Sequence, residues 1–233
     1  MPLNRVGDFE FDDSVADVFP DMIQRSVPGY ASMLSMIAQC AELYAVPDSN
    51  VYDLGCSLGA GTLLIRQYAR APCCIYAVDS SSAMMARLQE RLNDSVPSQN
   101  TVELLESDIR DVAVSNASMV VLNLTLQFLP PEERDGFIAR IASGTRPGGV
   151  LVLSEKICFD DPAQQQLMTE LHHDFKRAHG YSDLEIAQKR TAIENRLLPE
   201  SLQTHVDRLK TAGFRTVAPW FQCFNFASIL AVR

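Results

Sequence analysis

Positive charge is scarce in this sequence: 20 lysines and arginines stand against 29 aspartates and glutamates, for a net charge of −9. No run of like charges dominates, so a broad electrostatic grip on nucleic acid or on an anionic membrane is not expected, and an anionic ligand has to meet positive charge locally. An uncharged apolar run of bilayer-spanning length is also missing. Residues 1–17 lack the basic start and apolar stretch of a secretory signal. A cytoplasmic protein without a membrane partner is the expectation. There is no CxxC pair; Cys40, Cys56, Cys73, Cys74, Cys158 and Cys223 are scattered as reduced thiols would be, at spacings unsuited to structural zinc. Neither an internal repeat nor a low-complexity stretch is present.

What remains is ordinary globular material. Apolar residues make up 47% and charged residues 21% of 233, enough for a sizeable core in one domain spanning 1–233. Residues 1–47 divide into an arm, with Phe9, Phe11, Val15, Val18 and Phe19 among acidic residues, and a helix from Gly29 to Val46 marked by apolar positions at helical spacing. Strands are predicted at 51–54, 74–78, 102–105, 118–123 and 150–153, alternating with helices at 60–68, 84–92 and 131–141. Pro130-Pro131 and the acids after them open the last of these helices. Strands that are apolar on both faces and alternate with helices predict a doubly wound, mostly parallel α/β sheet of seven strands, Rossmann-like. The end differs: strands near 215–218 and 223–232 have no helix between them and must run antiparallel. A polar insertion, 157–199, reads as helices and as a candidate cap or subunit contact.

In such a sheet ligands bind beyond the carboxyl ends of the strands. Gly55, Cys56 and Ser57 follow the first strand there, although a glycine loop also serves ordinary turns. Asp79, with Ser80 beside it, ends the second strand 20 residues after Gly59, the separation at which a carboxylate accepts both hydroxyls of a ribose; a solvated strand-end aspartate is the plainer alternative. Asp108 and Ile109 follow the third strand, where a carboxylate and an amide suit the amino group and ring nitrogen of adenine, or where Asp108 simply caps a helix. Asn123 ends the fourth strand, where its amide either faces the same ligand or satisfies buried backbone. His172 and His173 are adjacent on a helix and do not face one another, so no metal site is expected from them.

The order Asp53-Leu-Gly-Cys-Ser-Leu-Gly59, Asp79, Ser107-Asp-Ile109, Asn123 and Arg146-Pro-Gly-Gly149, with a reversed last strand, resembles the class I S-adenosylmethionine-dependent methyltransferase fold. Ser57 departs from the glycine usual at that position. The sequence is more closely similar to the carboxy-S-adenosyl-L-methionine synthase family. The runs that carry this resemblance are 18–30, 51–59, 116–123, 172–177 and 220–226, and it extends across nearly the whole chain.

That resemblance implies S-adenosylmethionine as a substrate carboxylated on its methyl carbon, with no metal. Prephenate aromatises to phenylpyruvate, releasing carbon dioxide and a hydroxide equivalent; the hydroxide takes a methyl proton and the resulting ylide captures the carbon dioxide. The product serves a partner carboxymethyltransferase that modifies the wobble uridine of certain transfer RNAs. Arg190 matches the family's carboxylate-binding arginine, supplied by the neighbouring subunit of a homodimer, and Tyr30 matches a residue contacting the cofactor. Arg190 and Tyr30 are thus the candidate catalytic residues, and both join the cofactor-binding set. Lys156 and Arg25 are candidates, by charge alone, for prephenate's two carboxylates. A conventional methyltransferase acting on a small molecule or RNA, and a non-catalytic cofactor-binding module, are the competing readings.

Overall fold

The computed structural model describes residues 13–186 and 196–233. The described residues begin with α1 (Asp13–Ser26) and α2 (Tyr30–Tyr44), then alternate β1 (Asn50–Leu54), α3 (Ala60–Tyr68), β2 (Cys74–Asp79), α4 (Ser82–Asn93), β3 (Thr101–Glu106) and β4 (Ala117–Asn123). There follow α5 (Pro131–Gly144), β5 (Thr145–Cys158), α6 (Pro162–Ala178), a two-residue β6 (Glu200–Ser201), α7 (Leu202–Thr211), β7 (Thr216–Cys223) and β8 (Phe226–Val232). Seven strands form one sheet in the order β3-β2-β1-β4-β5-β8-β7. The first five are parallel, and β8 runs antiparallel to both β5 and β7.

Period-two alternation explains why both faces need helices. Along β4, Val120 and Leu122 join a cluster with Phe137, Ile138 and Ile141 of α5 and Leu209 of α7. The intervening Met119 and Val121 join Ile37 and Ala41 of α2 and Ile65 of α3 on the opposite face. Every one of these side chains is buried, which is why β4 reads as a continuous apolar run.

Two features differ from the expectation. The Arg146–Gly149 turn is absorbed into the start of β5: Ala117 pairs with Thr145 but Met119 pairs with Val150, so the extra residues bulge while the strand continues. The insertion leads into β6, an eighth strand pairing parallel with Ile157 and Cys158. It is fastened by Arg134, a side chain with 0% exposure that Glu200 meets at 2.5 Å. Arg208 also binds Glu200, at 2.7 Å, and reaches Asp135 at 2.6 Å.

The described part of the arm folds as α1 across the carboxyl edge of the sheet, with Ala16 packed on Leu58 and Met84, while Phe9 and Phe11 lie outside the described residues. It turns into α2 through Pro28-Gly29. Gly29 has φ 75°, and a Cβ there would lie 2.2 Å from the Phe221 ring, so only glycine fits.

Candidate active site

The carboxyl ends of the strands and the inner side of α1 enclose a cavity of about 920 Å³. Gly55 (φ 80°) and Cys56 both donate backbone N–H to Val78 O, at 2.8 and 2.9 Å, folding the loop after β1 onto the end of β2. A Cβ on Gly55 would meet Thr125 at 2.4 Å. The same fold carries the Ser57 N–H to Asp79 Oδ2 at 2.8 Å, while Ser81 N–H donates to Asp79 Oδ1 at 2.9 Å. Burial pushes the Asp79 carboxyl upward against these N–H bonds.

Below the loop Asp53, 3% exposed, accepts the Thr62 hydroxyl at 2.6 Å, and burial raises it to about 6. The Tyr30 hydroxyl, at the start of α2, is raised to about 12 by burial and then by Asp53, so it stays a neutral donor.

Asp108 caps the short turn Ile109–Asp111 through Arg110 N–H at 2.8 Å, and the Arg110 side chain grips it at 2.7 and 3.0 Å. The Arg110 guanidinium holds this carboxyl below its ordinary value. Capping and cavity lining therefore coexist at Asp108, since each carboxylate oxygen accepts more than one bond.

At the end of β4, Asn123 Oδ1 is buried with no hydrogen-bond partner among the described residues. The next residues are clamped by Glu155, which accepts the Leu126 and Gln127 N–H groups, both at 2.9 Å, and which burial raises to about 8. Gln127 ties several segments together. Its backbone oxygen accepts from Arg134 and Leu198, its side-chain oxygen accepts Lys156 N–H at 3.0 Å, and its side-chain amide donates to Leu124 O.

The structure thus brings Tyr30, Gly55, Cys56, Ser57, Asp79, Ser80, Asp108, Ile109 and Asn123 to one cavity, and Lys156 with them. Arg190 lies outside the described residues. Arg25 is not in the cavity. It is held at the junction of α1 and α6, with Asp21 at 2.9 Å, His179 O at 2.6 Å and the Tyr181 ring 4.4 Å away, because its stem leaves the outer side of α1. Among the described residues no cluster of three or more metal-ligating side chains occurs. His172 Nε2–H donates to Ser26 O at 2.8 Å.

Sequence reasoning did not single out Gln127, Glu155, Lys176 or Asn225 as site residues. Glu155 carries a usable signal, a charged residue two positions after the apolar run 150–153 of β5. An acid at the end of β2, loop amides, a glycine held against Thr125 and an orphaned amide oxygen suit an adenosyl sulfonium bearing an amino acid group.

Comparisons with known proteins agree. Residues 51–149 match a family model described as a methyltransferase domain. Carboxy-S-adenosyl-L-methionine synthase of Vibrio cholerae is 54% identical over 233 residues, covering 100% of this chain and 94% of its own. The enzyme of the same name from Trichlorobacter lovleyi is 56% identical, covering 100% and 96%. Among solved structures, magnesium protoporphyrin IX methyltransferase of Synechocystis with bound SAH aligns with TM-score 0.60 at 18% identity, covering 97% of this chain and 90% of that one. Human N-acetylserotonin methyltransferase with SAM aligns at 0.62 and 15%, covering 95% and 56%; at these identities the likeness concerns the fold. With relatives this similar along its whole length, the chain belongs to the carboxy-S-adenosyl-L-methionine synthase family.

Proposed function

We propose that this protein converts S-adenosylmethionine and prephenate into carboxy-S-adenosylmethionine and phenylpyruvate. The observation that carries the reading is one cavity with acids at one end and lysines at the other. An adenosyl sulfonium suits the first end and an organic dianion the second, whereas plain methyl transfer requires no second anion site. The overall step balances: prephenate loses carbon dioxide and hydroxide as its ring aromatises, the hydroxide takes a methyl proton to form water, and the methyl carbon bonds to the carbon dioxide.

The chain's own residues position and shield these groups. Asp79 and the loop amides hold the nucleoside, neutral Tyr30 donates a hydrogen bond beside it, and α1 keeps bulk water from the reacting carbon. Arg190 is proposed to reach from the neighbouring subunit of a homodimer and hold the new carboxylate in a bidentate fork. The product is proposed to pass, in the cytoplasm, to a partner enzyme that carboxymethylates a transfer-RNA wobble uridine. The net charge of −9 argues against direct RNA binding by this chain. No helix among the described residues is long and apolar enough to cross a membrane.

Mass spectrometry of the nucleoside bound to purified protein tests the reading. S-adenosylmethionine plus the mass of carbon dioxide, with phenylpyruvate formed from prephenate, is expected. S-adenosylhomocysteine alone, with no phenylpyruvate above the spontaneous rate, overturns it.

A further inference from the structure

The strand order spreads two chemistries along one sheet edge. Asp53, Asp79 and Asp108 sit on or just after β1, β2 and β3, Asn123 ends the central β4, and Lys156 lies on β5. Beyond β5 comes β8, and the turn leading into it carries Asn225.

Asn225 is 2% exposed and lines the cavity, and its Oδ1 has no hydrogen-bond partner among the described residues. Its backbone is pinned to the end of β5, where Ile157 N–H donates to Asn225 O at 2.8 Å. A buried amide oxygen left unmatched costs free energy unless a ligand supplies the donor.

Lys176, in the last turn of α6, lines the cavity beside His172 and His173. Two lysines converge here. The His172 imidazole is pushed down to about 3, by burial first and then by Lys176, with Lys156 and His173 adding to the effect. His172 is therefore neutral, with its Nε2–H spent on Ser26 O and its ring edge-on to Phe226 at 5.1 Å, so it adds a wall but no charge. Ammonium groups gathered at one end of a partly apolar cavity favour an anion between them. At the opposite end Asp53 and Asp79 disfavour one, and Arg110 is already taken up by Asp108 and Glu133.

We propose that α6, the end of β5 and the turn before β8 form the subsite for the acid co-substrate, with Lys156 and Lys176 on its carboxylates and Asn225 accepting from its ring hydroxyl. The assignment rests on the prephenate reading above and adds the residues that hold the molecule. It places the hydroxyl that departs as hydroxide on the Asn225 side of the cavity. The sulfonium then lies between Asn123 and this wall, so the proton to be removed and the carbon dioxide released meet at the centre of the sheet edge.

The test is steady-state turnover of prephenate, beside its binding to the S-adenosylhomocysteine-loaded protein, in wild type, Lys156→Met, Lys176→Met, Lys176→Arg and Asn225→Leu. The two Met variants and Asn225→Leu should each weaken prephenate by about tenfold or more in KM and in Kd, as lost bonds to charged or buried groups do. S-adenosylhomocysteine affinity should stay within about twofold, and Lys176→Arg, which keeps the charge, should restore most of the prephenate affinity. Intact S-adenosylhomocysteine binding with unchanged prephenate KM in the variants overturns the subsite. Parallel loss of both ligands marks a structural role and overturns it too. A wild type that neither binds nor turns over prephenate removes the parent reading and the subsite with it, which is distinguishable from failure in the variants alone.

Discussion

Ser57 holds its backbone at φ 50°, a left-handed conformation that glycine adopts without strain, and its N–H is aimed at Asp79. The serine thus keeps the amide geometry that the usual glycine would give. Ser57→Gly should retain S-adenosylhomocysteine affinity and shift unfolding free energy by no more than about 1 kcal/mol, in the stabilising direction, read by urea denaturation. Asp79→Ala removes the carboxylate itself. It should weaken S-adenosylmethionine binding by about 1.5–3 kcal/mol, the worth of hydrogen bonds to a charged acceptor, and unchanged affinity by calorimetry would place the ribose elsewhere. Asp79 and Asn123 were legible in the sequence because each ends an apolar run, and Asp108 because it lies just past the third strand, and the sheet rule says what lies beyond such an end. Asn225 and Lys176 were not. Their significance comes from neighbours far away in the chain, and a lysine in a polar helix looks the same in sequence whether it faces water or a cavity.

Among the elements, helices and strands with apolar runs appear where their periodicity placed them, while boundaries set by distant partners do not. The start of β5 lies at Thr145 because Ala117 pairs with it, and β6 exists because Ile157 and Cys158 offer an edge. Arg134 reads in sequence as one more charge in an acidic first turn, yet it is fully buried between Leu129 O and Glu200. The same network bears on pH. His205 of α7 is buried beside Arg208, whose Nη1–H donates to its Nδ1 at 3.2 Å; burial first, then Arg208, lowers it to about 4. A base whose folded value is depressed contributes stability that is complete above its ordinary value of 6.5 and is lost as pH falls toward 4. Asp53, raised to about 6, acts in the opposite sense, so the histidine is isolated by comparison with a variant. Between pH 7 and pH 5 the wild type should lose about 2 kcal/mol more stability than His205→Gln in urea titrations. Equal losses would mean that His205 is protonated in the fold.

For the molecule as a whole, the proposed homodimer has a consequence that mixing experiments detect. If Arg190 serves the neighbouring subunit's site, a dimer joining one Arg190→Ala subunit to one Asp79→Ala subunit contains one site with both residues intact. Equal mixing and reassociation of these two variants should then recover about a quarter of wild-type carboxylation, at S-adenosylmethionine levels too low to load the damaged site. No recovery would assign Arg190 to its own subunit. The general frame of the molecule was readable from the alternation of runs and from the antiparallel pairing of the final two strands. The separation of Asp53, Asp79 and Asp108 from Lys156 along the sheet edge was not, because it depends on strand order, and adjacency in space differs here from adjacency in sequence: β5 neighbours β8, not β6 or β7, along the main path.

Gln127 joins the turn after β4, the Lys156 N–H of β5 and the segment at Leu198 that leads into β6 through one side chain and one peptide unit. Three stretches that are remote in sequence therefore share a single latch and should open to solvent together, as one cooperative unit. In Gln127→Ala, amide deuterium uptake should rise at 124–129, 156–157 and 196–200 with a common rate, while the β1–β2 half of the sheet keeps its protection.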